Sequence, residues 1–164
     1  MPLVKRGRIV EDDYLRLVDD AAIPEDGAVL VSAKRLLASA GDSAQRVGAT
    51  GVLWPNDRPI AELAPHLDRL AMVALGFPNF KDGRAYSQAR ILRERYRFRG
   101  ELRATGQILR DQFLFLYRAG FDAFDVTKPA DALVFAEAVS RYSGFYQPGE
   151  SVSTLARRHM AAAE

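Results

Sequence analysis

Apolar residues along this chain fall into short blocks set off by glycine, proline and acidic residues, and from the middle onward the blocks alternate between two periods. Leu3 to Val10 predicts a short strand with Gly7 at a turn or bulge. Gly27 introduces Ala28 to Ala33, a run suited to a buried strand, and Lys34 to Ala40 predicts a short helix ending at Gly41. Gly51 to Trp54 predicts a strand closed by the turn residues Pro55, Asn56 and Asp57.

From there the alternation is regular. Ile60 to Leu70 predicts a helix, Met72 to Phe77 a buried strand, and Arg84 to Tyr96 a long helix. Gly100 to Thr105 predicts a strand, Gln107 to Ala119 a helix capped by Gly120, and Ala123 to Val126 another strand. Thr127 suits the cap of a helix from Pro129 to Tyr142, because proline is tolerated in a first turn. Ser153 to Ala163 has the spacing of a loosely attached helix.

Strand and helix in turn, with short connections, define an α/β protein whose strands are mainly parallel and joined by right-handed crossovers. An open doubly wound sheet is the first expectation, and a partial or distorted barrel of the same units is the alternative. One strand favours the alternative. Glu101, Arg103 and Thr105 alternate with Leu102 and Ala104, whereas a strand covered by helices on both faces should be apolar throughout. The chain reads as one domain over residues 1–150 with a tail at 151–164, and it has no internal repeat or low-complexity segment.

Composition narrows the chemistry. The length of 164 residues suffices for a core without staples, and 48% hydrophobic with 27% charged residues is ordinary for a globular protein. No apolar run approaches the roughly 20 residues that span a bilayer, and charges interrupt residues 1–13, so a cytoplasmic protein without membrane contact is expected. The absence of cysteine excludes disulfides, thiolate nucleophiles and sulfur-held metals. His66 and His159 are the only histidines and lie far apart, so no metal site is expected.

Charge is unevenly placed. Lys81 to Asp111 holds nine basic and four acidic residues, a local +5 that leaves the rest of the chain at −3 against a total of +2. Within it, Asp82, Gly83, Arg84 and Ser87 stand where a strand leads into a helix start, a place that attracts phosphate, sulfate or carboxylate. A capped turn with a solvated arginine accounts for the same residues. Arg103, Thr105 and Gly106 could face the same crevice, with Glu101 and Asp125 as cleft carboxylates; an internal ion pair is the competing explanation. Arg90, Arg93 and Arg97 recur at helical spacing as a basic stripe that suits docking to a partner, although Glu94 can pair with part of it. Asp82, Glu101, Asp111 and Asp125 are the carboxylates available for acid or base work.

The mixture of Tyr96, Arg97, Phe98 and Arg99 is of a kind found on single-stranded nucleic-acid platforms, but the near-neutral total and the lack of a nucleic-acid motif weigh against that partner. No GxGxxG fingerprint, phosphate-loop lysine or nucleophile elbow is present, so no cofactor is assigned.

The run Phe77-Pro78-Asn79-Phe80-Lys81-Asp82-Gly83-Arg84-Ala85-Tyr86-Ser87-Gln88-Ala89-Arg90-Ile91-Leu92-Arg93, then Gly100-Glu101-Leu102-Arg103-Ala104-Thr105-Gly106, Asp111-Gln112 and Gly120-Phe121-Asp122-Ala123-Phe124, resembles domain-of-unknown-function family 934. The resemblance is specific over residues 72–126 and absent in the tail. It implies an accessory role in sulfate assimilation, because members are often labelled oxidoreductases and tend to be encoded beside sulfite reductase. It assigns no catalytic residue. Two functions follow as expectations: an anion-binding crevice for a small oxyanion or a phosphate-bearing ligand, and a docking module for an acidic redox partner such as a sulfite reductase subunit.

Overall fold

The computed structural model describes residues 2–5, 8–38 and 48–141. Eight strands form one sheet: β1 (Leu3–Lys5), β2 (Arg8–Val10), β3 (Tyr14–Arg16), β4 (Ala28–Ser32), β5 (Thr50–Trp54), β6 (Met72–Phe77), β7 (Glu101–Gly106) and β8 (Ala123–Asp125). The helices are α1 (Ala33–Ala38), α2 (Arg84–Arg90), α3 (Phe113–Ala119) and α4 (Pro129–Arg141). The strand order is β2-β1-β8-β7-β6-β5-β4-β3. From β3 to β8 every neighbour pairs in parallel, while β1 pairs antiparallel with both β8 and β2. The fold is therefore α/β with a mixed sheet, which corrects the expectation of a mainly parallel one: Leu3–Lys5 and Arg8–Val10 are two antiparallel strands, not one. Gly7 lies outside the described residues, as do the end of the helix expected to Ala40, its cap Gly41, and everything from Tyr142 onward, the tail at 151–164 included.

The order β3 to β8 runs without the reversal that an open doubly wound sheet requires, and the sheet curls, as in the partial barrel held in reserve. Two observations fix the curl. Antiparallel pairing on both sides of β1 leaves β2 running in the same direction as β3. These are the two outermost strands, yet Val10 and Tyr14 are four residues apart, so they lie within about 14 Å of each other.

The faces sort by period 2. Val4, Val29, Val31, Val52, Val73, Leu75, Leu102, Ala104 and Phe124 point outward into the main core and meet Leu36, Ala85, Ala89, Leu92, Phe113 and Leu116 of the helices. The concave face carries Leu30, Met72 and Ala74 beside Tyr14, and then charged groups. Ile60 to Leu70 forms two 3₁₀ segments, Ile60–Glu62 and Ala64–Arg69, in place of one α-helix, because Pro65 has no N–H for an α ladder. The helix expected from Arg84 to Tyr96 ends in a π turn, Ile91–Arg95. No described helix is long and apolar enough to cross a membrane.

Candidate functional site

Six charged side chains meet on the concave face. Arg103, on β7, is only 1% exposed. Its Nε donates to Glu101 Oε1 at 2.8 Å and its Nη1 to Asp12 Oδ2 at 2.8 Å, with Asp125 Oδ1 3.8 Å away. The guanidinium lies over the Tyr14 ring, 5.4 Å from its centroid. Lys5 Nζ reaches Glu101 Oε2 at 2.6 Å and Arg16 Nη2 donates to Asp125 Oδ2 at 2.5 Å. Three cations thus face three carboxylates across the curled sheet, drawn from β1, β3, β7, β8 and the β2–β3 connection. Burial works against the Arg103 cation, but Glu101, Asp12 and Asp125 outweigh it and hold its pKa above the ordinary value. Burial, and then the Glu101 charge, push the Tyr14 phenol above its usual range.

Sequence reasoning found Glu101, Arg103 and Asp125 but missed Lys5, Asp12, Tyr14 and Arg16. The signal was present in the sequence: Asp12, Tyr14 and Arg16 recur at a strand's period of 2, as Glu101, Arg103 and Thr105 do.

The loop after β6 is separately organised. Arg84 donates through Nε to both oxygens of Asp82, at 3.0 and 3.2 Å, and through Nη2 to Oδ2 at 2.6 Å. Asp82 Oδ1 also accepts from the Arg84 backbone N–H at 3.2 Å. The Arg84 guanidinium holds the Asp82 carboxyl well below the usual carboxylate range, and Asp82 in turn raises Arg84. The pair is exposed. Gly83 precedes α2, and Ser87 is on its first turn. Asn56, a buried amide, lies beside Asp82 with its Nδ2 outside good hydrogen-bond geometry. Thr105 is buried near the end of β7, and Gly106 ends it with φ +97°, where a Cβ would meet the Phe77 carbonyl oxygen at 2.5 Å.

The basic stripe divides. Helical spacing expects Arg93 beside Arg90 and Arg97, but the Arg93 side chain is 9% exposed. It donates to the carbonyls of Gly120, Phe98 and Gly100 at 2.7–3.0 Å and to Asp122 Oδ2 at 3.2 Å. The π turn rotates it inward, and Gly120 (φ +106°) leaves room, since a Cβ there would meet Arg93 Cγ at 2.7 Å. Arg93 is therefore a cross-brace, which corrects its place on a docking face. Burial raises the pKa of its partner Asp122, against the lowering pull of Arg93 itself.

Arg90, Arg95, Arg97 and Arg99 stay exposed. Arg90 approaches Glu94 at 3.4 Å, and Arg95 lies over Tyr96 at 5.7 Å. Arg97 has φ +54° and is the one non-glycine residue with positive φ among the described residues. Its backbone is held there by N–H donation from Tyr96 to Ile91 and from Phe98 to Leu92.

Among the described residues, no group of three or more histidine, cysteine or acidic side chains could hold a metal ion. Fold and site together define a curled α/β barrel-like domain with a charge-balanced interior and a basic outer turn. The chain belongs to the bacterial family of proteins of unknown function, DUF934, whose model matches residues 51–154. No curated protein and no solved structure matches it.

Proposed function

We propose that the protein is an accessory docking module whose outer turn, Arg90, Arg95, Arg97 and Arg99 around the exposed Ile91, receives an acidic surface of a protein partner. The observation that carries this is Arg97: an L-residue in the left-handed region costs roughly 1–2 kcal/mol, glycine would avoid that cost, and an exposed arginine occupies the position nonetheless. Arg103 and Arg93 are buried against carboxylates or carbonyls, and Arg84 is clasped by Asp82. A subunit of sulfite reductase is the partner that the family resemblance implies.

The test is binding of purified protein to sulfite reductase at low and high salt. Reversing charge in Arg95→Glu/Arg97→Glu should abolish binding at low salt, and unchanged binding would overturn the reading. A second reading, a small oxyanion held by Arg84 on the rim of the barrel, draws on the exposed guanidinium and the underused Asn56 amide. Melting temperature against sulfite, sulfate, adenylylated sulfate, flavin mononucleotide and nicotinamide cofactors at matched ionic strength tests it. A selective rise that Arg84→Ala removes supports it, and no selective rise refutes it.

A further inference from the structure

One stretch of the outer wall is open to solvent. β4 to β6 have helices packed behind them and α4 lies against β1 and β2, whereas among the described residues the β3–β4 connection contains no helix and is held to α1 through Arg35, which donates to the Val18 and Ala21 carbonyls. The side chains that a helix would cover are instead open to solvent: Leu15 is 57% exposed, Val18 74% and Ile9 48%. Such residues usually mark a surface that meets something else. Glu11 and Asp13 share the outward set with Ile9 and Leu15 by strand period, and Asp19 and Asp20 follow. Between Ile9 and Asp20 there are five carboxylates and a single arginine; Asp12 is turned inward to Arg103.

The opposite composition sits elsewhere on the same chain. Residues 90–99 present four exposed arginines, Arg90, Arg95, Arg97 and Arg99, around Ile91, which is 40% exposed, with Glu94 beside Arg90. α2 packs behind β6, and two strands of the sheet separate β6 from β3. We infer that the basic turn of one copy docks on the exposed β3 stretch of a second copy, its Ile91 against Leu15 and its arginines against Glu11, Asp13 and Asp20. Charge complementarity selects this occupant, since each patch carries the sign the other lacks around an apolar centre. Donor and acceptor patches differ, so the contact is head-to-tail and builds a ring or a short chain, not an isologous dimer. The inference rests on the reading that the basic turn is a docking surface, and it makes an acidic partner and a second copy competitors for that turn.

Sedimentation of the full chain over a range of concentrations tests it. In low salt the average mass should climb with concentration past that of a dimer. It should fall back in 1 M salt, where the screening length drops from about 10 Å at 0.1 M to about 3 Å. Glu11→Gln/Asp13→Asn removes only the acceptor and Arg95→Gln/Arg97→Gln only the donor. Each variant alone should be monomeric, and an equimolar mixture should stop at a 1:1 complex, because one good donor and one good acceptor remain. That rescue also shows both variants to be folded. A wild-type chain that stays monomeric in low salt, or variants that assemble as the wild type does, would overturn the inference. Loss of sulfite reductase binding in the arginine variant would leave the docking reading standing in either case.

Discussion

Replacing Arg103 by alanine removes the one cation that touches three of the carboxylate-bearing segments inside the barrel. With its side chain gone, Glu101 keeps Lys5 and Asp125 keeps Arg16, while Asp12 loses its charged partner. Breaking a buried pair on one side costs about 3–5 kcal/mol, and the partial exposure of Asp12 puts the loss here at the low end, about 3 kcal/mol. For a chain of this length each kcal/mol lowers the melting temperature by about 2–4 °C, so the deficit should be roughly 6–12 °C. Circular dichroism melts at pH 7 measure it, with Arg103→Lys as a control that keeps charge but not the fork and should fall between. A loss below 2 °C would refute the account of the interior as a balanced charge cluster.

Three further outcomes are expected. Arg93→Ala should cost about 3–5 kcal/mol in urea unfolding, because it strips buried carbonyls and Asp122 of their donor, whereas Arg90→Ala on the exposed side should stay within about 0.5 kcal/mol. Arg97→Gly should leave stability unchanged or raise it by up to about 1 kcal/mol, since relief of the left-handed backbone offsets the glycine's entropy, while partner binding weakens; a clear loss of stability would refute strain at that position. Tyr14 should ionise above pH 10 in an ultraviolet titration. Its folded pKa is raised, so its contribution is complete below the unfolded value of about 10 and is lost as pH rises through the folded one.

The sequence was most legible where burial on both sides of a strand leaves an unbroken apolar run. Met72 to Phe77 is such a run and begins and ends where expected. The charged alternation of Glu101, Arg103 and Thr105 also announced a polar concave face, and with it the barrel alternative. β3 escaped notice because its hydrophobic sense is inverted: Leu15 faces out into solvent, whereas Tyr14 and Arg16 face in. The period of 2 is present, but with the apolar residue outward it offers no hydrophobic cue to tell the strand from a loop. Arg93 escaped for another reason. Its inward turn depends on a π turn and on the space left by Gly120, 27 residues away, which helical spacing does not encode.

The antiparallel β1–β8 ladder, Leu3 against Asp125 and Val4 against Phe124, sets a waiting time on synthesis. β1 is translated first, yet the strand beside it comes about 120 residues later, an interval of roughly 6–24 s at 5–20 residues per second. The parallel strands β3 to β8 each find a neighbour as soon as the next is made. The nascent β1–β2 pair must meanwhile keep Leu3 and Val4 from foreign strands, so any agent that shields a ribosome-bound chain has its task at these two strands until β8 emerges.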